Sequence, residues 1–134
     1  MPTIYTEYLG DLRTKALHLQ TGNILITDAP LDNQGKGEAF SPTDTLATAL
    51  GSCMLTIMGI AARTHGFNID GTKLTITKIM ANDPRRVSEV ILEFELAQNS
   101  YSEKEKGIIY KAAKGCPVAR SLHPDLKQTI IMNY

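Results

Sequence analysis

The sequence lacks tryptophan, and aromatic residues make up only 6% of its 134 residues. Lysine plus arginine equals aspartate plus glutamate at 14 each, so positive charge is not in excess. Nucleic-acid-binding domains usually combine a basic surface with aromatic side chains on which bases stack. The composition therefore predicts no nucleic-acid partner. The length fits a single domain, residues 1–134, and a hydrophobic content of 43% is enough for an ordinary core.

The N-terminus lacks the basic segment and following apolar segment that mark a secretory signal peptide. The uncharged run at 46–62 has 17 residues and includes Thr48, Ser52 and Thr56. A membrane-spanning helix needs roughly 20 predominantly apolar residues. We therefore expect a buried core helix, no membrane association and a cytoplasmic protein.

Cysteine is scarce, since the chain has only Cys53 and Cys116. Two cysteines are too few for a disulfide scaffold, and in a reducing compartment such a pair is either reactive or simply buried. The histidines, at 18, 65 and 123, are not spaced from one another or from the cysteines as metal ligands are. We therefore expect no bound metal and no other cofactor.

The sequence does contain well-marked helices and strands. Ser41 followed by Pro42 opens a long helix that Gly66 ends, and Ser102 with Glu105 forms a capping box for a helix through position 114. Alternation of apolar and polar residues predicts the strands. The predicted strands are 3–8, 17–19, 23–27, 73–81, 86–96 and 128–132, with a turn at 21–23. A short third helix is predicted over 116–122.

Apolar residues cover almost the whole circumference of the long helix. Such a helix has to be buried nearly all round, and a chain this short offers few strands to enclose it. We therefore expect a second copy of the chain to cover it, as a homodimer. One apolar stripe is Leu46, Leu50, Cys53, Ile57 and Ile60, and a second is Ala47, Met54, Met58 and Ala61.

The two cysteines allow two interpretations, either as buried residues that only fill space or as a redox-active pair. Cys53 lies on an apolar stripe, where a free cysteine often only fills space. Cys116 lies between Gly115 and Pro117 at a predicted helix start, where the positive end of the helix dipole favours a thiolate. A cysteine peroxidase needs an attacking thiolate and a second thiol that condenses with the sulfenic acid. It also needs a fixed positive charge and a carboxylate that holds this charge in place.

Two segments together resemble the OsmC/Ohr superfamily, named for osmotically inducible protein C and organic hydroperoxide resistance protein. They are FSPTDTLATALGSC at 40–53 and CPVARSL at 116–122. Their order and spacing agree with the family, and the match spans essentially the whole chain. The resemblance implies an α+β fold in which antiparallel sheets wrap around long central helices in an intertwined homodimer.

The resemblance also implies a function, because the family consists of thiol peroxidases that favour organic hydroperoxides and are often re-reduced by dithiols such as lipoyl groups. Cys53 matches the peroxidatic cysteine, and Cys116 matches the resolving cysteine. Arg13, the only arginine before the long helix, matches the family arginine. The expected partners are thus an organic hydroperoxide and a dithiol reductant.

The carboxylate departs from the family pattern. The hydroperoxide-resistance branch has a glutamate ten residues before the cysteine, where this chain has Thr43, and the acid here is Asp44. Nine residues on a regular helix place Asp44 and Cys53 on opposite faces. Either the helix is broken near Gly51, or Asp44 serves the partner chain's site, or Asp44 is only a helix cap.

Other functions stay open. The carboxylate shift favours, as an alternative, a non-catalytic dimeric member of the family that binds a small apolar ligand. A cysteine hydrolase or acyl carrier is a further alternative. Arg120 lies four residues past Cys116, so on a helix it would share that face and assist the resolving thiol.

Overall fold

The computed structural model describes residues 1–97 and 100–134 and shows a mixed α+β architecture with two three-stranded sheets. It divides into two compact units, an N-terminal unit of residues 1–46 and a C-terminal unit of residues 47–134. Each unit contains one of the sheets. The α+β class expected from the resemblance is confirmed.

The N-terminal unit is an antiparallel meander. It consists of β1 (Ile4–Gly10), β2 (Arg13–His18) and β3 (Ile24–Asp28), hydrogen-bonded in that order. The predicted turn at 21–23 does lie between β2 and β3. Strand β2 is twice as long as the three residues predicted, because the pairing with β1 and β3 extends it back to position 13.

The N-terminal unit has no apolar core of its own. Within residues 1–46, all of which the structure describes, only Thr27, Asp28 and Ser41 are buried. A three-stranded sheet is stable only when an apolar face packs against something. Large exposed apolar side chains nevertheless lie on β1, on β3 and in the connecting loops. They include Ile4, Tyr5, Tyr8, Leu9, Leu12, Leu19, Ile24, Leu25, Leu31 and Phe40.

The long helix, α1, runs unbroken over Pro42–Thr64. One side of it is fully buried, with Leu50, Met54 and Met58 entirely inaccessible to solvent. The other side is open, and Ile60 retains 54% of its exposure. The expectation that the helix is buried nearly all round is therefore not met within a single chain.

The C-terminal unit builds its sheet in the order β4–β5–β6. The strands are β4 (Lys73–Ala81), β5 (Arg86–Glu95) and β6 (Lys127–Asn133), and the helices α2 (Glu103–Lys114) and α3 (Pro117–Ser121) come between β5 and β6. Strands β4 and β5 are antiparallel, whereas β5 and β6 are parallel. The parallel pair differs from the expected antiparallel sheets. Helices α2 and α3 carry the chain from the end of β5 back to the level at which β5 began, so β6 runs in the same direction as β5.

The core of the C-terminal unit lies between α1 and this sheet. Alternate residues of β5 point inward, and Val90, Leu92 and Phe94 are completely buried. Gly51 of α1 faces β4, where an added Cβ would lie 2.6 Å from the Ile76 side chain. The missing side chain is therefore what allows the helix to approach the sheet so closely.

Helix α1 is long and apolar enough to cross a membrane by length and composition alone, and one third of its most apolar window is buried. Core helices of soluble proteins meet the same criterion. The complete burial of Leu50, Met54 and Met58 is typical of a core helix. A cytoplasmic location stays a prediction.

Replacing Gly51 by leucine should destabilise the protein by about 1–3 kcal/mol, because the new side chain overpacks the contact between α1 and β4. Gly107→Leu in α2 is the matched control, since an added Cβ there meets nothing within 4 Å. This control should be neutral or mildly stabilising, because glycine is a poor helix former. Urea unfolding of both variants measures the difference, and equal stability of the two would contradict this packing.

Candidate functional site

The two cysteines, far apart in the sequence, meet at the first turn of α3. The backbone N–H of Val118 donates to Cys53 Sγ at 3.5 Å, and the N–H of Ala119 donates to Cys116 Sγ at 3.3 Å. Both cysteines are free thiols, and Cys53 lies near enough to Cys116 to raise the pKa of that thiol. Two adjacent amides of one turn therefore bind one sulfur each, and the predicted meeting of Cys53 and Cys116 is observed.

The local sequence explains how Cys116 reaches this position. Gly115 ends α2, and Cys116 then adopts an extended conformation as the N-cap of α3. Its thiol takes the place of the serine or aspartate that usually caps a helix. Pro117 occupies the first helical position, where its missing N–H costs no hydrogen bond.

The two thiols differ in exposure. Cys53 is half-buried on the side of α1 that borders the open face, whereas Cys116 is completely buried. Burial raises the pKa of Cys116, and the neighbouring Cys53 raises it further against the opposing pull of the Ala119 amide. Cys116 therefore stays a neutral thiol at neutral pH, and Cys53 is the more exposed of the two sulfurs.

Two polar side chains hold the α3 segment in place. Arg120 Nε donates to the carbonyl oxygen of Gly115 at 2.9 Å, and Gln128 Nε2 of β6 donates to the carbonyl oxygen of Ala119 at 3.1 Å. The hydrogen bond of Arg120 is thus to the backbone at the end of α2. The hypothesis that Arg120 assists the resolving thiol is not supported by this contact, because the bond fixes the loop before Cys116.

In the N-terminal unit, Arg13 is bound by two carboxylates. Arg13 Nε donates to Asp28 Oδ1 at 2.7 Å and Nη2 donates to Asp28 Oδ2 at 2.8 Å, a bidentate arrangement. The same Nη2 donates to Glu38 Oε1 at 3.0 Å. The hydrogen bond from Arg13 lowers the pKa of Asp28, and the bond to Asp28 raises the pKa of Arg13. Arg13 is therefore a permanent and well-positioned positive charge.

Asp28 and Glu38 were not predicted as partners of Arg13, because the predicted turn and strand did not give the register of this hairpin. Strands β2 and β3 pair so that Arg13 lies directly opposite Asp28. The observed register is centred between residues 20 and 21, whereas counting outward from the predicted turn at 21–23 would place Arg13 opposite residue 31. The predicted strand at 17–19 was too short to extend the register that far.

Asp44 forms a capping box at the start of α1. The N–H of Ser41 donates to Asp44 Oδ2, and the N–H of Asp44 donates to Ser41 Oγ, both at 3.0 Å. The alternative in which α1 is broken near Gly51 is wrong, because the helix is continuous. The cap is thus observed, and a catalytic role of Asp44 stays a prediction.

Within residues 1–97 and 100–134, no cluster of three or more histidine, cysteine, aspartate or glutamate side chains is placed to hold a metal ion. The described residues supply two neighbouring thiols in the C-terminal unit and, in the N-terminal unit, an arginine held by two carboxylates.

Comparison with known proteins identifies the family. The model of the family described as OsmC-like protein matches residues 35–130, so the chain belongs to the OsmC-like family. No curated protein matches the sequence. A solved structure from Psychrobacter arcticus 273-4, a candidate osmotic stress induced and detoxification response protein, is 56% identical to this chain. The match covers 99% of this chain and 96% of that chain, with a TM-score of 0.95.

More distant structures show the same fold. An organic hydroperoxide resistance protein OsmC from Legionella pneumophila is 14% identical, with 100% of this chain and 98% of that chain covered and a TM-score of 0.79. A candidate organic hydroperoxide resistance protein from Vibrio cholerae, with captopril bound in one of its active sites, is 15% identical. That match covers 99% of this chain and 92% of the Vibrio chain, with a TM-score of 0.76.

Replacing Asp28 by asparagine should make the free energy of unfolding depend less steeply on pH in the acid range. Because the pKa of Asp28 is lowered in the folded state, its carboxylate stabilises the protein above about pH 4, and this stabilisation is lost as the pH falls through the lowered pKa. Asp28→Asn should be less stable than the wild type at neutral pH, with a difference that shrinks in acid. Urea unfolding along a pH series measures both quantities.

The control is Asp70→Asn, which alters an exposed aspartate in the loop before β4 and should change stability little at neutral pH. If the stability of Asp28→Asn depends on pH as that of the wild type does, the ion pair with Arg13 contributes nothing to the stability of the native state.

Proposed function

We propose that this protein is a thiol-dependent peroxidase that reduces organic hydroperoxides. The observation that carries the proposal is the pair of free thiols at the first turn of α3, one accessible and one buried. Membership of the OsmC-like family and the names of its hydroperoxide-resistance members support the same function.

The chemistry needs only these two sulfurs and an external reductant. The Cys53 thiolate attacks the terminal oxygen of the hydroperoxide, the O–O bond breaks, and the departing alkoxide takes up a proton to leave as an alcohol. Cys53 is then a sulfenic acid. The Cys116 sulfur attacks it, water leaves, and a disulfide forms. A dithiol such as a lipoyl group reduces this disulfide by exchange and is itself oxidised to its cyclic disulfide.

The difference in exposure between the two thiols supports their proposed roles. An attacking sulfur has to be reachable by the substrate, and Cys53 is partly exposed. A resolving sulfur has to stay reduced until the sulfenic acid forms, and burial keeps Cys116 protonated and shielded. By resemblance to the family, Arg13 is the candidate for the positive charge that this chemistry needs. Asp28 holds this arginine in place, while Asp44 stays a further candidate for that role.

We further propose that the working form is a homodimer. The open side of α1 carries residues small enough for a second helix to approach closely, with Ala49, Ser52 and Thr56 followed by Ile60. The sheet of the N-terminal unit is also rich in exposed apolar side chains. A second copy that covers the open side of α1 would border Cys53, so the site would be completed at the interface.

Replacing Cys53 by serine should reduce the consumption of cumene hydroperoxide, measured with dihydrolipoamide as reductant, to the rate of the uncatalysed reaction. Cys116→Ser should still make the first attack, because Cys53 remains. Its sulfenic acid should react with dimedone and should pass on to a sulfinic acid in excess peroxide, as intact mass shows. Full activity of the Cys53→Ser protein is incompatible with the proposed mechanism.

In solution the wild type should have about twice the chain mass of 14.7 kDa, measured by light scattering after size exclusion. Ile60→Glu places a charge on the open side of α1 and should shift the protein towards monomer. Tyr110→Glu, at an exposed aromatic residue of α2, is the control and should stay dimeric. A monomeric wild type at micromolar concentration would exclude the homodimer.

A further inference from the structure

An inward-facing position of β6 carries a glutamine. Gln128 pairs with Val90 of β5, which is completely buried, and paired residues of neighbouring strands point to the same side of a sheet. Farther along β6, Ile130 and Met132 occupy the same face and pack against the core. A polar side chain in this row costs free energy unless it is hydrogen-bonded. The contact that Gln128 makes is therefore a candidate for a specific role.

The hydrogen bond of Gln128 goes to the segment that holds Cys116. Gln128 Nε2 donates to the carbonyl oxygen of Ala119 at 3.1 Å, and the N–H of Ala119 donates to Cys116 Sγ at 3.3 Å. Ala119 is thus bound on both sides, by the glutamine at its carbonyl group and by the sulfur at its amide. A displacement of Ala119 would also displace the amide that binds the Cys116 sulfur.

Two further side-chain hydrogen bonds of this segment are local. Arg120 Nε donates to the carbonyl oxygen of Gly115 at 2.9 Å, and Ser121 Oγ donates to that of Pro117 at 2.8 Å. The acceptors lie five and four residues back in the chain, so these bonds shape the segment without attaching it to the sheet. The bond of Gln128 attaches it to β6.

We propose that Gln128 is a positioning residue for disulfide formation, because it holds Cys116 through Ala119 at the place from which its sulfur reaches Cys53. The inference rests on the proposed function, in which Cys53 is first oxidised to a sulfenic acid. In the step concerned, a bond forms between the two sulfurs, the S–O bond of the sulfenic acid breaks, and the hydroxyl group leaves as water with the proton of Cys116.

The inference assigns Gln128 to one of the two chemical steps. Reactions between two groups that are held in place depend steeply on their relative position. The hydrogen bond of Gln128 is to Ala119 and not to the sulfur of Cys53. Loss of this bond should therefore slow the attack of Cys116 on the sulfenic acid and spare the attack of Cys53 on the hydroperoxide.

The test follows the fate of the sulfenic acid. Reduced protein is mixed with cumene hydroperoxide at a series of concentrations, and intact mass distinguishes the disulfide from the sulfinic acid. Both products arise from the same sulfenic acid, so their ratio compares disulfide formation with a second attack on peroxide. Gln128→Met removes the donor and keeps the length of the side chain. We expect it to lower the ratio of disulfide to sulfinic acid by about three- to tenfold, the effect of losing one neutral hydrogen bond. The rate at which the Cys53 thiol is consumed should stay within about twofold of the wild type.

Two further variants separate the hydrogen bond from general effects. Gln128→Glu keeps the shape of the side chain but turns a carboxylate towards the carbonyl oxygen of Ala119, so at neutral pH it should lower the ratio at least as far as Gln128→Met. Asn133→Leu is the matched control at the far end of β6. Asn133 Nδ2 donates to Glu93 Oε2 at 3.1 Å, so this variant loses a side-chain amide hydrogen bond that does not involve α3. It should keep the wild-type ratio.

The outcomes distinguish this inference from the function on which it rests. If the Cys53 thiol of the wild type does not react with the hydroperoxide, the proposed function fails and the inference fails with it. If the wild type forms the disulfide and Gln128→Met keeps the wild-type ratio, only the inference is overturned. The same holds if Gln128→Met slows the first attack as much as disulfide formation, or if Asn133→Leu lowers the ratio equally, since either result would indicate a general loss of structure.

Discussion

The candidate site depends on one interaction, the donation of two consecutive backbone amides of α3 to two different cysteine sulfurs. Cys116 is both a redox residue and the cap of the helix that presents it, and Cys53 receives the neighbouring amide. The hydrogen bonds of Arg120 and Gln128 fix the segment on either side. The geometry of the thiol pair is therefore built into the backbone of the Cys-Pro-Val segment, with a buried core beneath it.

The elements that the sequence predicted well are those with explicit local signals. Helix α1 has its serine cap and terminal glycine, α2 has its capping box, and β4 was predicted with the observed bounds. Turns and caps act within a few residues, so they can be recognised without knowledge of the fold. The parallel pairing of β6 with β5 could not be predicted in this way, because it depends on where a crossover places the final strand.

The same distinction between local sequence signals and tertiary contacts applies to the candidate site. Cys53 and Cys116 were found because their residue type is rare and their surrounding motifs are specific. The carboxylate partner of Arg13 could not be predicted in this way, because the acid nearest to Cys53 in the sequence, Asp44, caps a helix. Asp28 lies opposite Arg13 across a strand pair, so its role is visible only once the register is known. Charge pairs across strands are a tertiary property even when both residues are near in sequence.

The spacing of the two sulfurs along the chain has an energetic consequence. A bond between Cys53 and Cys116 would close a loop that spans 63 positions. In the chain-entropy description, a crosslink of that length stabilises the folded chain by about 4 kcal/mol relative to the reduced form. By the same thermodynamic cycle, the fold would favour the disulfide over free thiols more strongly than an unstructured peptide does. The oxidised protein would thus be the more stable form, and reduction of its disulfide would require a strong dithiol.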